Sequence, residues 1–250
     1  MLREMGLTPI WRQRQPAATR PSSAETADVA ASLRPTIEPA IIPPGLAAGA
    51  PDDAAEAVAA LDWPQLREAV SACRACRLGE RRKQAVLGVG DLRPQVLFVG
   101  EGPGAEEDER GEPFVGQAGK LLDAMLATIG LARGKGVYIA NTVKCRPPEN
   151  RTPQADEMAA CFPFLRRQIA LLAPKLIVAL GRPAAQALLN REVKIGVARG
   201  QSFAYEGVPL LVTYHPAYLL RNLPDKARAW EDLCLIRRRL AEVAPAARGG

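Results

Sequence analysis

The chain is organised around the sequence VYIANTVKCRPP, residues 137–148, in which an apolar run meets a polar loop. Residues 137–140 form a short apolar run that is typical of a buried strand. Asn141 follows at the end of that strand, and its side-chain amide carries both a hydrogen-bond donor and an acceptor. Cys145 lies further on, at the entrance to a loop stiffened by two prolines. The stretch therefore combines a candidate ligand-reading amide with a candidate metal-ligating thiol.

Segments with the patterns of strands and helices alternate on both sides of this stretch. Further strand-like runs occupy residues 95–99, 175–180 and 209–213. Helix-like segments occupy residues 120–129, 156–172, 183–189 and 226–240, and another begins after Asp62. The alternation predicts an α/β fold, a three-layer α/β/α sandwich around a central, mainly parallel, four-stranded sheet. Ligands bind outside the carboxyl ends of the strands in such sheets, where we expect Gly100, Asn141 and His215.

Composition divides the 250 residues into three parts. Residues 1–60 are rich in Ala and Pro and poor in aromatic residues, so we expect a disordered extension there. Residues 61–242 are expected to form the folded domain, and residues 243–250 a disordered tail. The chain has no apolar run near the roughly 20 residues that span a membrane and no signal-peptide pattern, which predicts a cytoplasmic protein. The net charge of +6 weakly favours a polyanionic partner.

Five cysteines in a reducing compartment favour metal ligation or burial over disulfides. Cys73 and Cys76 form a C-x-x-C pair, and Cys145 and Cys161 can complete a set of four thiols. Such a set can hold zinc or an iron–sulfur cluster, and buried free thiols are the alternative. A thioredoxin-like redox pair would follow a strand, whereas this pair follows a predicted helix. Cys234 lies among large apolar residues of the last helix, so we leave it out of the cluster.

A glycine-rich loop, GEGPG at residues 100–104, follows the first strand. A dinucleotide-binding loop needs free amides facing a pyrophosphate, but Pro103 removes one amide and an acidic run, residues 106–109, would repel phosphate. We therefore expect the loop to present Glu101, or the backbone of Gly100 and Gly102, to a neutral ligand. The acidic run itself is interpreted as a solvated turn rather than a metal site.

Three further side chains are candidates for the same ligand. Phe114 lies in a Gly/Pro loop and can stack on a flat ring, although core packing is an equal alternative. The Asn141 amide matches the edge of a pyrimidine such as uracil, although an Asn at a strand end is more often a turn former. His215 is the only histidine, and it precedes a proline at the end of a buried strand. That position favours a functional histidine over a structural one.

The order of four motifs resembles the family 4 uracil-DNA glycosylases, bacterial and archaeal enzymes with a four-iron, four-sulfur cluster. The motifs are GEGPG at 100–104, PFVG at 113–116, NTVKCRPP at 141–148 and HPAYLLR at 215–221, within a resemblance that covers residues 61–242. The resemblance implies a 4Fe-4S cluster held by Cys73, Cys76, Cys145 and Cys161. It also implies that Phe114 stacks on a flipped uracil and that Asn141 pairs with the edge of that base.

The resemblance assigns the remaining roles at the predicted site. His215 would stabilise the departing base, Leu219 would fill the space that the flipped base vacates, and Arg221 would lie close to phosphate. Uracil is flipped out of the duplex before its N-glycosidic bond breaks, and water then adds to the sugar. Glu101 is the candidate to place or activate that water, with a backbone-only role as the alternative. No lysine is positioned for Schiff-base chemistry, so we expect a monofunctional enzyme that leaves an abasic site.

Two other functions remain open from the sequence. A uracil-trapping relative would form a covalent adduct through a histidine in an inserted loop, which the sequence lacks. A non-enzymatic DNA-binding module with a four-cysteine metal site is the second alternative.

The first twenty residues carry an additional expectation about partners. They contain five large apolar side chains, Leu2, Met5, Leu7, Ile10 and Trp11. This stretch resembles the clamp-loader-binding peptide at the N-terminus of the psi subunit of the bacterial replicative polymerase. We therefore expect a monomer that acts on uracil-containing DNA and docks on a replication protein through residues 1–20, although a tail without function is the simpler interpretation.

Overall fold

The computed structural model describes residues 52–243. Within this part of the chain, six strands form one sheet. The strands are β1 (Val89–Gly90), β2 (Val96–Gly100), β3 (Val137–Asn141), β4 (Leu176–Leu180), β5 (Phe203–Tyr205) and β6 (Val208–Thr213). They lie in the order β1-β3-β2-β4-β6-β5. The four central strands are parallel, whereas β1 and β5 pair antiparallel at the two edges. The predicted α/β fold is confirmed, with its four parallel strands extended by two short edge strands.

Ten α-helices and one short 3-10 helix accompany the sheet within the described residues. The helices are α1 (Asp52–Ala60), α2 (Trp63–Ala72), α3 (Leu78–Arg81), α4 (Ala105–Arg110), α5 (Gln117–Thr128), α6 (Ala155–Leu172), α7 (Arg182–Leu189), α8 (Ile195–Ala198), α9 (Pro216–Arg221) and α10 (Asp225–Val243). The 3-10 helix spans Pro148–Asn150. In the described part of the chain, no helix has the length and apolar character needed to cross a membrane.

The central strands are buried because both faces of the sheet are covered. All five residues of β2, β3 and β4 are buried, as expected for parallel strands between two layers of helices. One core cluster joins one face of the sheet to α5 and α10, and a second joins the other face to α6 and α7. A third cluster contains Leu66 and Val70 of α2, Phe164 of α6, and four cysteines.

The register of the sheet aligns the ends of the parallel strands. Gly100 at the end of β2 is paired with Asn141 at the end of β3, and Leu180 of β4 is paired with Thr213 of β6. Gly181 follows Leu180 directly, and His215 lies two residues after Thr213. The loops that carry the predicted site therefore lie together at the carboxyl ends of the parallel strands.

The folded region begins earlier than the predicted boundary at residue 61. Helix α1 has nine residues, and its Val58 packs against the third core cluster. This helix was missed because it is short and carries a single large apolar residue, Val58, so it shows no apolar stripe. The remainder of the predicted extension, with the docking peptide at residues 1–20, lies outside the described residues, as does the tail at 244–250.

Candidate active site

Gly100 allows two side chains to meet at the end of β2. A Cβ atom at this position would lie 2.5 Å from Oδ1 of Asn141 and 2.6 Å from Cζ of Phe114. No real Cβ tolerates such distances, so only glycine lets the amide and the ring approach each other over the strand end. Gly102 is close-packed as well, because its Cβ would lie 2.8 Å from Cγ2 of Val143. The glycine loop therefore acts through close approach to neighbouring loops.

Asn141 is buried with an unsatisfied acceptor. Its side chain is 2% exposed, and Oδ1 has no hydrogen-bond partner among the described residues. An unpaired buried acceptor costs about 1–3 kcal/mol, so such an atom in a cleft points to a ligand that supplies a donor. The backbone is fixed from behind, because Nζ of Lys144 donates to the Asn141 carbonyl oxygen over 2.7 Å.

Phe114 lies against the imidazole of His215. The two ring centroids are 5.4 Å apart and the ring planes are tilted by 32°. Phe114 is buried and has a φ of +55°, a left-handed conformation that is uncommon for a bulky residue. Strained backbone of this kind persists only where the surrounding structure fixes it.

His215 is held as a neutral ring with a defined tautomer. The backbone N–H of Ala217 donates to Nδ1 over 3.1 Å, which leaves the ring proton on Nε2. Burial, reinforced by the nearby charge of Arg221, lowers the pKa of His215 to about 4, and Glu107 opposes that shift. Gly181 has a φ of +86°, and a Cβ there would lie 2.9 Å from Cβ of His215. The imidazole is therefore a preorganised neutral donor at neutral pH.

Leu219, the residue predicted to fill the vacated space, is buried in this structure. Leu219 is 1% exposed and belongs to the core cluster on the α5 and α10 face, so it cannot enter DNA from that position. Its neighbour Leu220 is 42% exposed, and Leu223 is 61% exposed. The sequence could not separate adjacent leucines, because the helical phase of α9 decides which one faces solvent. Arg221 is exposed at the end of the same helix, as a phosphate contact requires.

The acidic run, residues 106–109, was interpreted from the sequence as a solvated turn, but it belongs to α4. Glu107 and Asp108 belong to α4, and the Glu107 carboxylate accepts the backbone N–H groups of Gly104, Val115 and Gly116 over 2.9–3.1 Å. Asp108 is buried and accepts the backbone N–H of Lys83 over 2.9 Å. The Gly104-x-x-Glu107 spacing of a helix cap was the signal that could have revealed this role. Glu107 therefore connects the glycine loop to the Phe114 loop.

Glu101 is anchored by its backbone and half-buried. Its carbonyl oxygen accepts the hydroxyl of Thr142 and the backbone N–H of Val143. Burial raises the pKa of the Glu101 carboxyl, while a hydrogen bond from Thr152 and the charge of Arg182 oppose the rise. The carboxyl therefore interacts with Thr152 and Arg182.

The four predicted ligand cysteines lie in one packed cluster that joins several elements. Cys73 ends α2, Cys76 precedes α3, Cys145 lies in the loop after β3, and Cys161 lies within α6. All four belong to the third core cluster, and Cys145 lies within electrostatic reach of both Cys73 and Cys76. Cys234 is on α10, outside this cluster. The described residues contain no group of three His, Cys, Asp or Glu side chains placed to hold a single metal ion.

Hydrogen-bond donors point at the sulfur atoms of this cluster. Nη1 of Arg82 donates to Sγ of Cys145 over 2.9 Å, and the backbone N–H of Lys144 donates to Sγ of Cys161 over 3.3 Å. The backbone N–H of Ala75 lies 3.5 Å from Sγ of Cys73. Burial raises the pKa of Cys161 to about 12, so its thiolate needs a strong neutralising partner.

Lys144 is a buried cation beside these thiols. It is 1% exposed, and burial lowers its pKa to about 8, opposed by the charges of Cys161 and Cys145. Neither Lys144 nor Arg82 was singled out from the sequence, because their roles depend on which distant thiols they meet. A negatively charged group held by the cysteines would satisfy both cations.

A family model and several glycosylase relatives indicate one superfamily. The model of the uracil DNA glycosylase superfamily matches residues 87–234. A type-4 uracil-DNA glycosylase of Pyrobaculum aerophilum is 44% identical over 70% of this chain and 93% of that protein. One from Thermotoga maritima is 47% identical over 64% of this chain and 84% of that protein. A type-5 uracil-DNA glycosylase of Pyrobaculum aerophilum is 33% identical over 61% of this chain and 73% of that protein.

Proposed function

The chain belongs to the uracil-DNA glycosylase superfamily, and we propose that it removes uracil with the residues collected at the carboxyl ends of β2, β3 and β6. Its activity is that of an N-glycosyl hydrolase in DNA repair, since its type-4 relatives are uracil-DNA glycosylases. Because a base cannot be reached inside the stack, the uracil nucleotide must be extruded into this site.

The observation that carries the proposal is the buried, unpartnered Oδ1 of Asn141. Uracil presents an N3–H donor beside the O4 acceptor, and one amide can pair with both. Cytosine presents an acceptor at N3, which would leave two acceptors facing each other. A site built to satisfy one hydrogen-bonding pattern rejects the opposite pattern strongly, because its buried polar atoms would remain unpaired. Asn141 thus supports selection of uracil over cytosine.

Phe114 and His215 act on the ring and on the leaving group. The Phe114 ring offers a stacking face for a flat base beside the imidazole. As the N-glycosidic bond breaks, negative charge grows on uracil O2, and the Nε2–H of neutral His215 is available to donate to it. One preorganised donor of this kind is worth roughly 3–4 kcal/mol of transition-state stabilisation.

Three further residues are assigned to the addition of water and to the DNA from which the base is flipped. The Glu101 carboxyl is our candidate for placing the water that adds to the sugar. Leu220, rather than buried Leu219, is our candidate for the wedge that replaces the flipped base, because it is exposed next to the site. Arg221 is proposed to contact a phosphate near that wedge.

We further propose that the four clustered cysteines hold a 4Fe-4S cluster. Such a cluster takes one thiolate on each of four irons, so it does not require several ligands to converge on a single ion. The N–H donors at three sulfurs and the buried cation of Lys144 suit an anionic thiolate-ligated group. When bound, the cluster supplies a covalent link between α2, the loop after β3, and α6.

A uracil-release assay on purified, anaerobically handled protein tests the proposal. The protein should release free uracil from an oligonucleotide with one dU and leave an abasic site without cutting the strand. An oligonucleotide with dC at the same position should release no base. A gel-stable protein–DNA adduct in place of free uracil would favour the uracil-trapping alternative, and DNA binding without base release would favour a non-enzymatic module.

A further inference from the structure

The Phe114 turn is held from outside the site by charged side chains. Phe114 has a φ of +55°, and the next two backbone N–H groups, of Val115 and Gly116, donate to the Glu107 carboxylate. Because a trans peptide group points its C=O opposite to its N–H, the Phe114 carbonyl oxygen points away from the Glu107 carboxylate and needs a donor of its own. A buried carbonyl group without a donor would cost free energy, so the question is which group supplies it.

Arg133 supplies that donor, and it also donates to the carbonyl oxygen of the preceding residue, Pro113. Its Nη1 donates to the Pro113 carbonyl oxygen over 2.8 Å, and its Nη2 donates to the Phe114 carbonyl oxygen over 2.8 Å. The fixed planar fork of a guanidinium can hold two neighbouring carbonyls at a set spacing, which a lysine cannot do. Arg133 thus fixes the peptide groups on both sides of the Phe114 Cα.

Arg133 is itself held in place by two features. Nη2 and Nε lie 3.0 Å and 3.2 Å from Oδ1 of Asp123 on α5. The residue also lies in a tight turn closed by a bridge between Ala132 and Lys135. Only 22% of the Arg133 side chain is exposed, compared with 50% for Asp123. Because the carboxylate sits on a helix of the core, the guanidinium is fixed relative to the sheet.

Gly119 shows that the Phe114 carbonyl is confined from another side. A Cβ atom on Gly119 would overlap the carbonyl group of Phe114. This packing leaves the carbonyl little room to turn, while Arg133 fixes the direction in which it points. The aromatic ring on the opposite side is thereby aimed at the imidazole of His215.

We infer that Arg133 is a positioning residue for uracil removal, which acts through Phe114 by holding its strained turn from behind. The inference rests on the proposed function, because it assumes that the Phe114 ring stacks on the extruded base. Misplacing a positioning group by about 1 Å can cost about 100-fold in rate. Loss of the fork should therefore affect the chemical step and the binding of free uracil more than it affects the binding of duplex DNA.

A double-mutant cycle separates positioning from general stability. Single-turnover uracil release is measured for the wild-type protein, Arg133→Ala, Phe114→Ala and the double variant. We expect Arg133→Ala to lower the rate about 10-fold or more and to weaken inhibition by free uracil. In the Phe114→Ala background the same change should alter the rate by less than about 2-fold, because the ring it positions is gone.

Arg239 provides a matched control on α10. It is similarly exposed, at 27%, and likewise pairs with one carboxylate, Glu242 over 2.9 Å. Arg239→Ala should leave the rate unchanged. Arg133→Lys keeps the charge without the fork and should recover only part of the rate; if Arg133→Ala does not fold, Arg133→Lys and Asp123→Asn carry the cycle instead.

The outcomes distinguish this inference from the proposed function. An equal loss of rate from Arg133→Ala in both backgrounds would mean that Arg133 supports the fold alone, and the inference would be wrong. A wild-type rate for Arg133→Ala would also overturn it. Failure of the wild-type protein to release uracil would instead refute the proposed function.

Discussion

At residue scale, the site depends on a few atoms that the fold leaves unpaired or neutral. Oδ1 of Asn141 has no partner in the described part of the chain, and Nδ1 of His215 is already occupied by the N–H of Ala217. One residue thus offers an acceptor to the ligand, and the other offers a donor. Both sit at or just beyond the end of a parallel strand, where the backbone is rigid.

The first residue-scale prediction concerns base selection by Asn141. Asn141→Asp replaces the amide donor by an acceptor, so it removes the partner of uracil O4 and buries a charge. We expect single-turnover uracil release to fall by roughly 100-fold, as for the loss of a buried hydrogen bond to a substrate. Asn190→Asp, on a half-buried residue at the end of α7, serves as a control and should be near wild type. Uracil release by Asn141→Asp at the wild-type rate would contradict the base-pairing role.

The second residue-scale prediction concerns pH. The pKa of His215 is lowered from 6.5 to about 4, chiefly by burial and then by Arg221, against the opposing charge of Glu107. Neutral imidazole therefore persists through the range in which an ordinary histidine titrates. The single-turnover rate should show no inflection near pH 6.5 between pH 6 and pH 8. A rate that rises with a midpoint near pH 6.5 as the solution is acidified would show that the imidazolium is the active form.

The same shift has a consequence for stability, with a defined sign. Because the folded pKa of His215 lies below 6.5, the unfolded chain takes up a proton that the folded protein refuses. The contribution of His215 to the free energy of unfolding is therefore lost as the pH falls from about 6.5 towards about 4. In His215→Ala, the acid-induced decrease of Tm over this range should be smaller than in the wild-type protein. An unchanged decrease would show that the folded protein protonates His215 as readily as the unfolded chain does.

The sequence predicted residues whose positions follow from strand ends and motifs, but it did not predict roles that depend on tertiary contacts. Asn141, Phe114 and His215 were identified because strand ends and distinctive loops can be found in a sequence, and the structure brings these three together. The sequence could not show that Leu219 is buried and Leu220 exposed, because tertiary packing sets the phase of α9. Glu107 was misread, since a carboxylate that binds three distant amides looks the same in sequence as one that faces solvent.

At element scale, the cysteine cluster joins segments that are far apart in sequence. It brings together the end of α2, the loop after β3 and the middle of α6, and the same loop begins at Asn141. Lys144 lies in that loop, with its N–H on Cys161 and its Nζ on the Asn141 carbonyl. The state of the cysteine site therefore bears on the position of the base-reading residue.

At element scale, we predict that Cys145→Ser loses the connection that the cysteine site makes between α2, the loop after β3 and α6. The purified wild-type protein should be brown, with broad absorbance near roughly 400 nm, as thiolate-ligated iron clusters show. Cys145→Ser should lose iron, colour and solubility because one ligand of a buried anionic group is missing. Cys234→Ser, on α10, is the matched control and should keep all three properties. A colourless wild-type protein that is active with stoichiometric zinc would contradict the cluster.

At the scale of the whole molecule, the alternation of strands and helices was sufficient to predict the parallel sheet. Buried runs such as residues 137–140 are long enough to identify, and their order fixes which loops share the carboxyl edge. The edge strands were missed, because β1 has two residues and β5 has three, too few to show a period. Helix α1 was missed as well, and it moves the start of the folded region into the predicted extension.

That shift changes where the N-terminal part can be removed without harm. Deleting residues 1–60 takes away α1, whose Val58 packs against the cysteine cluster, whereas deleting residues 1–50 leaves this helix intact. We expect the shorter deletion to keep the wild-type Tm and the longer one to lower it. Full burial of a large apolar side chain contributes about 1.5–3 kcal/mol, and half-buried Val58 contributes part of that, which thermal unfolding can measure. Equal Tm values for both deletions would show that α1 adds nothing to the fold.

The last prediction concerns what residues 1–20 do for the whole enzyme. They carry Leu2, Met5, Leu7, Ile10 and Trp11 beside arginines, a composition suited to docking on another protein. A flexible connection of about 30 residues, the number between residue 20 and α1, spans roughly 30 Å, so an anchor at residues 1–20 would raise the local concentration of the catalytic domain without changing the site. Deleting residues 1–50 should therefore leave uracil release from short oligonucleotides unchanged and abolish binding to purified clamp-loader subunits. If the shortened protein bound the clamp loader as the full chain does, the docking role of this peptide would be wrong; if it lost activity on naked oligonucleotides, the segment would belong to the catalytic domain.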